Sequence, residues 1–267
     1  MRAMKVSRFS LVLSFLVLTA THQSWADELP TKILFIGDSH SVMGFGDSLY
    51  KKLNAEYPDQ VATYSSCGST LRHWGVGKKK DIGTPTKCGY RERGRAGKVY
   101  ISYNDIKSGK AKPPRTPLLT RLIPKHDAEI IVVQQGTNYI GRSKAVLQND
   151  IHDLLKKIKG TSCVWIGPPN TRFSEEEGGM SLPEVNKVIR ETLAEANPTC
   201  KFFNSYAVTE YPAGGDGKHF DGAKGGRALA LAWGNEAADF VIKGVSQQTA
   251  ATPAPDASNQ PSGTDVR

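Results

Sequence analysis

Five short apolar runs, at residues 32–36, 60–65, 129–134, 162–166 and 201–205, punctuate the chain; each is too short for a helix and most are rich in β-branched or aromatic residues. Between them the apolar period changes. Val42, Phe45, Leu49 and Leu53 keep the i, i+3, i+7, i+11 spacing of one helix face. Ala145, Ile151 and the apolar residues of 154–158 form a second, and residues 182–194 and 228–241 supply two more. Strands that alternate with helices are joined by crossovers, so the expected architecture is α/β, with a mostly parallel five-stranded sheet covered on both faces. At 267 residues and 39% hydrophobic content, the chain supports one such domain.

The two ends read differently from the middle. Arg2, Lys5 and Arg8 precede a short apolar run from Phe9 to Ala20, and Ser24-Trp25-Ala26 offers a small-residue cleavage site. Residues 1–26 are therefore expected to be a secretory signal peptide, with an uncleaved anchor as the alternative, and no later segment is apolar enough for stable membrane insertion after cleavage. The domain is expected over residues 27–244. Residues 245–267, rich in Ser, Thr, Pro, Ala and Gln, read as a disordered tail. A periplasmic or secreted location permits disulfides. Cys163 and Cys200 open two runs that would be neighbouring parallel strands, which favours Cys163–Cys200 and leaves Cys67 with Cys88; free buried thiols are the alternative. The absence of any CxxC or His/Cys cluster argues against a metal site.

The triplet Gly-Asp-Ser occurs twice, at Gly37-Asp38-Ser39 and at Gly46-Asp47-Ser48, where the second copy reads GDSL. Two serines nine residues apart cannot both serve one site. In a parallel sheet functional groups gather beyond the carboxyl ends of the strands. Ser39 directly follows the first strand, whereas Ser48 falls in the middle of a helical pattern, where a serine is usually solvated. Ser39 is thus the candidate nucleophile. The second strand is followed by SSCGS with Gly68, the third by QQGTN with Asn138, and the last helical pattern is preceded by GGDGKHF, with Asp216 three residues ahead of His219. Together they would place a nucleophile, a base with its acid, and oxyanion donors at one sheet edge.

This ordered set resembles the SGNH (GDSL) hydrolase superfamily, with Ser39, Gly68, Asn138 and His219 as its four named residues and Asp216 as the acid of the DxxH motif. The resemblance runs from about residue 32 to 241 and implies a flavodoxin-like α/β/α sandwich and ester chemistry that needs no cofactor. The GDSH spelling is similar to that of peptidoglycan O-acetylesterases and other carbohydrate esterases. The departure is a long segment between the Gly68 and Asn138 motifs. The resemblance implies Ser39, Asp216 and His219 as catalytic residues, and the Ser39 N–H, the Gly68 N–H and the Asn138 amide as an oxyanion hole.

Rivals are weaker by position. His22 lies in the expected signal peptide, His40 should turn its ring away from Ser39 though it could line the pocket, His126 precedes the third strand at the opposite sheet end, and His152 sits on a charged helix. His73 is a candidate for substrate contact, and Asp221 competes with Asp216 for the role of acid.

The long segment, at about residues 72–115, carries 13 Lys or Arg against Asp81, Glu92 and Asp105, while the chain without its first 26 residues has a net charge of 32 − 26 = +6. It should overhang the site. Its Trp74, Tyr90, Tyr100 and Tyr103 suit sugar stacking or core covering. Export and the lack of a recognition fold argue against nucleic acid; an anionic polymer such as peptidoglycan, teichoic acid or an acidic polysaccharide is one expected partner, and an ordinary solvated loop is the alternative. The expected function is an exported serine esterase that removes small acyl groups, mainly acetyl, from a carbohydrate or cell-envelope glycan. An O-acyltransferase with the same triad and a non-catalytic envelope-polymer binding protein are the alternatives.

Overall fold

The computed structural model describes residues 31–76, 83–172 and 179–249. The expected signal peptide, Lys78 to Lys80 of the basic segment and residues 250–267 lie outside the described residues.

The chain begins with β1 (Ile33–Gly37), a four-residue α1 (Ser39–Val42), α2 (Gly44–Glu56) and β2 (Val61–Ser66). The long segment then supplies β3 (Tyr90–Gly94), β4 (Val99–Ile101) and α3 (Tyr103–Lys107). The remainder alternates as α4 (Leu119–His126), β5 (Ile130–Gln134), α5 (Lys144–Lys157), β6 (Ser162–Ile166), α6 (Leu182–Ala196), β7 (Lys201–Phe203), α7 (Ser205–Val208) and α8 (Gly226–Thr249). The sheet order is β4-β3-β2-β1-β5-β6-β7; β2, β1, β5, β6 and β7 are parallel, and β3 and β4 are antiparallel additions at one edge.

The strands are apolar on both faces, so each alternate residue feeds a different core. Leu34, Ile36, Ile131, Val133 and Trp165 pack under α4, α5 and α6, while Ile33, Phe35, Val132, Val164 and Ile166 pack under α2 and α8. The helices of the second layer lie close. A Cβ at Gly234 of α8 would collide with the Phe45 carbonyl of α2, and the Phe45 and Trp233 rings stack 3.8 Å apart. α6 starts on a capping box, in which Ser181 Oγ accepts the Glu184 N–H and the Glu184 carboxylate accepts the Ser181 N–H.

Three expectations need correction. The sheet has seven strands rather than five, because the polar run YRERG pairs with β2 and turns back into β4. Its alternation was the available signal: Tyr90 is buried on one face of β3 and Arg93 on the other. The last helix runs five residues past the expected start of the tail, and Val245 is buried against the second core. Ser48 does sit in a helix, but it is buried and its hydroxyl donates to Asn235 Oδ1 at 2.6 Å. Its helix face looks at α8 rather than at solvent.

Both cysteine pairs are joined. Cys163 of β6 meets Cys200, just before β7, with Cα atoms 4.4 Å apart, and Cys67 after β2 meets Cys88 before β3, at 5.2 Å. Residues at the start of β3 are thereby tied to the end of β2.

The second Gly-Asp-Ser triplet supplies the other tie. Asp47 Oδ1 lies 2.7 Å from Arg91 and 2.9 Å from Arg93, and Arg227 stands 3.7 Å from Oδ2. Arg93 is 7% exposed; burial, with the like charge of Arg91 beside it, pushes its pKa down to about 10, and Asp47 opposes the shift. A guanidinium held this way is costly to leave without a counter-ion. Asp47→Ala is expected to lower the urea-unfolding free energy by about 2–3 kcal/mol. Ser48→Ala, which removes one hydrogen bond, should cost about 1 kcal/mol. Equal, sub-kilocalorie losses would show the ion cluster to be passive.

Candidate active site

β1 lies at the centre of the sheet, with β2 on one side and β5 on the other, so the connections diverge at its carboxyl end and leave a crevice there. Gly37 closes β1 without a side chain; a Cβ there would collide with Ser41. Asp38 then caps α1, its Oδ1 accepting the His40 N–H at 3.0 Å. Gln134, at the end of β5, accepts both the Asp38 N–H at 3.2 Å and the Ser41 hydroxyl at 2.7 Å, which fixes the turn that presents Ser39.

His219 reaches the turn from 180 residues away. Its Nε2 lies 3.0 Å from Ser39 Oγ and its Nδ1 lies 2.6 Å from Asp216 Oδ2. Asp216 Oδ1 also accepts the backbone N–H groups of Lys218 at 2.8 Å and His219 at 2.7 Å. Gly217, with φ +78°, permits this tight return. Burial opposes ionisation of Asp216, but the His219 and Lys218 N–H groups and the imidazole outweigh it and hold the carboxyl well below the usual carboxylate range. Tyr211 braces the same turn, its hydroxyl accepting the Gly217 N–H at 3.1 Å and facing the His219 carbonyl at 3.2 Å.

Ser39, Asp216 and His219 line a cavity of about 530 Å³, with Val42, Met43, Tyr100 and Tyr103 on its other walls. Gly68 and Asn138 line an adjoining hollow of about 300 Å³ that also holds Lys87, Arg142 and Lys218. The two hollows are lined by the chain neighbours Cys67-Gly68 and Lys218-His219, so the expected oxyanion donors border the Ser39 cavity without lining it. Gly68 has φ +74°. Asn138 donates one amide hydrogen to the Ser69 carbonyl at 2.8 Å, and its Oδ1 accepts from Lys218 Nζ at 3.3 Å. Because an ammonium only donates, this contact fixes which way the amide points.

Lys218 is a residue that sequence reasoning passed over, although it stands inside the DxxH spacing. The other omissions, Tyr211 and Gln134, act through contacts that no spacing reveals.

The rival residues sit elsewhere. His40 is buried behind His219, its ring edge-on to Trp233 at 5.4 Å; burial, then the His219 and Lys218 charges, pushes its pKa well down, so it is neutral. His73 closes a capping box on Thr70, its Nδ1 accepting the Thr70 N–H at 3.1 Å. His126 meets the Tyr64 hydroxyl at 2.9 Å before β5 begins, and His152 is exposed on α5. Asp221 holds the start of α2, accepting the Gly44 N–H at 3.2 Å, and pairs with Arg227 at 3.0 Å. The long segment borders the cavity through Tyr100, Ser102, Tyr103 and Asn104. Its Arg91 and Arg93 are turned inward onto Asp47 and the carbonyls of Val42 and Ser41, which removes the expected cationic surface at those two positions.

Among solved structures, the C-terminal catalytic domain of peptidoglycan O-acetyltransferase A from Streptococcus pneumoniae, determined with a methylsulfonyl adduct, superposes with a TM-score of 0.50 at 16% identity, over 82% of this chain and 95% of that one. The likeness is one of fold, a mostly parallel sheet with helices on both faces. A lipase/acylhydrolase from Enterococcus faecalis aligns at a TM-score of 0.46 and 18% identity, over 79% of this chain and 96% of that one. No family model matches. Protein BcsX of Komagataeibacter xylinus is 31% identical over 154 residues, 55% of this chain and 53% of that protein, so the chain spans about half the length of the curated relative it matches.

The turn after β1 carries a buried acid. Asp38 is fully buried, and desolvation raises its pKa to about 6, against the opposing pull of the His40 N–H, Lys218, His219 and Gln134. A carboxyl whose folded pKa exceeds its unfolded 3.8 binds more protons when folded, so stability is greatest below the unfolded value and falls as pH rises from about 4 to about 6. Asp38→Asn keeps the cap and removes this titration. Urea unfolding from pH 4 to 7 should show a shallower decline for the variant than for the wild type; parallel curves would refute the burial argument.

Proposed function

We propose that the protein is an exported serine esterase that removes small acyl groups, acetyl foremost, from a glycan through an acyl-enzyme on Ser39. One observation carries this: the continuous chain Ser39 Oγ, His219 Nε2, His219 Nδ1, Asp216 Oδ2, with steps of 3.0 and 2.6 Å, opening into a cavity.

A serine hydroxyl is a weak nucleophile until a base takes its proton. In the proposed reaction Ser39 Oγ attacks the acyl carbonyl carbon while its proton passes to His219 Nε2. Asp216, held ionised, keeps the Nδ1–H tautomer and balances the imidazolium. The Gly68 N–H and the second amide hydrogen of Asn138 are the proposed partners of the oxyanion, joined by the Ser39 N–H. Collapse breaks the bond from the acyl carbon to the sugar oxygen, and that oxygen leaves with the proton from His219. Water then attacks the acyl-enzyme with His219 again as base, releasing acetate and Ser39.

Hydrolysis is favoured over acyl transfer because the dyad is wet: the side chains are 24% exposed at His219 and 54% at Asp216. A small acyl group suits the half-open cavity, whose tyrosine wall is solvent-facing rather than closed over a chain. Two disulfides, together with the expected signal peptide, support export. Among the described residues no helix is long and apolar enough to cross a membrane.

The purified protein should hydrolyse 4-nitrophenyl acetate and release acetate from O-acetylated oligosaccharides. Ser39→Ala and His219→Ala should each lower kcat at least about 10³-fold, Asp216→Asn by about 10²- to 10⁴-fold and Asn138→Ala by about 10²- to 10³-fold. Ser48→Ala, in the GDSL spelling, should retain most activity. Full turnover by Ser39→Ala would end this proposal.

A further inference from the structure

Exposed large apolar side chains are few among the described residues, and they are not scattered. Of the six, Met43, Tyr100 and Tyr103 line the Ser39 cavity, leaving Val99, Val208 and Leu229 elsewhere. Tyr100 is 61% exposed and Tyr103 52%. Apolar side chains clustered in the open beside a cavity mark a candidate binding surface.

Their placement is built. In the antiparallel β3/β4 pair Arg91 stands opposite Tyr100, and alternation puts Arg91, Arg93 and Tyr100 on the hairpin face that looks toward α1 and α2. The Arg91 guanidinium lies 5.1 Å from the Tyr100 ring centroid and is itself held by Asp47 and the Val42 carbonyl at 3.2 Å. Lys107 Nζ lies 6.0 Å from the Tyr103 ring centroid. Each ring therefore has a cation against it and a solvent-facing remainder. The α3 turn that carries Tyr103 is closed by a Ser102/Asp105 capping box, with the Asp105 N–H donating to Ser102 Oγ at 3.2 Å.

We propose that Tyr100 and Tyr103 form a stacking subsite for a pyranose ring of an uncharged glycan, placed so that the acylated sugar lies at Ser39. A pyranose ring has an apolar C–H face, which suits an open tyrosine, and polar edges that stay wetted at an open rim. Arg91 is ion-paired with Asp47, which leaves Lys107 as the cation beside the rings, and stacking on a C–H face needs no charge on the sugar. This inference rests on the esterase proposal only in assigning Ser39 to the same ligand.

The test separates the two. In full-length Ser39→Ala protein, binding of chitohexaose and xylohexaose is measured by calorimetry. Tyr100→Ala and Tyr103→Ala on that background should each weaken binding roughly tenfold, Tyr100→Phe and Tyr103→Phe should retain it, and Leu229→Ala, an exposed apolar change on α8, should leave it intact. Thermal unfolding checks that the alanine variants remain folded. No binding of either hexasaccharide, or affinity indifferent to both alanine changes, overturns the subsite. So does a tyrosine-dependent preference for 4-nitrophenyl decanoate over the acetate, which would make the wall an acyl groove. Failure of the esterase proposal would register separately, as no labelling of Ser39 by methanesulfonyl fluoride in protein that still binds the sugars.

Discussion

The buried Arg93 guanidinium, held between Asp47 and the Ser41 carbonyl, is the contact on which the shape of the site depends. It fastens an edge hairpin to the helical turn that carries Ser39. Without it β3 and β4 would be a two-stranded extension with little core of their own, and short antiparallel ribbons are marginal in water. The Cys67–Cys88 bridge anchors the base of the same hairpin, so one covalent and one ionic tie define the cavity wall. Both are needed geometrically: the bridge sets where the hairpin leaves β2, and the arginines set the direction in which it leans.

The two Gly-Asp-Ser triplets thus divide the work. The first makes the turn after β1, with Asp38 as cap and Ser39 toward His219. The second lies on α2, where Asp47 faces the hairpin and Ser48 faces Asn235 of α8. α1 ends at Val42 and the chain is extended at Met43 before α2 begins, so the two copies lie on separate elements with different partners. Their likeness is one of spelling.

Around Ser39 stand titratable groups shifted by burial. Asp38 is pushed up by desolvation, His40 is kept neutral by it, and Lys218 is also shifted down by burial, partly offset by Asp38 and Asp216. Asp216, by contrast, is more exposed and richly hydrogen-bonded, which keeps it charged. The same residue type takes opposite protonation tendencies within one site because one carboxyl is deprived of water and the other is surrounded by donors.

The alternation of short apolar runs with helical spacing was enough to determine a parallel sheet covered on both faces, because a strand buried on two sides must be apolar throughout and its crossover must be amphipathic. It was also enough to place Ser39 after a strand and His219 before the last helix. What sequence could not supply was the fate of polar side chains. Arg91 and Arg93 read as surface charge, and Ser48 as a solvated helix position, because charge and hydroxyl say nothing of what lies opposite. Only when α2 is pressed between the hairpin and α8 do Asp47 and Asn235 meet them. Burial of a polar group depends on a partner that is remote in the chain, 46 residues away for Arg93 and 187 for Ser48, and such pairings are decided by tertiary packing alone.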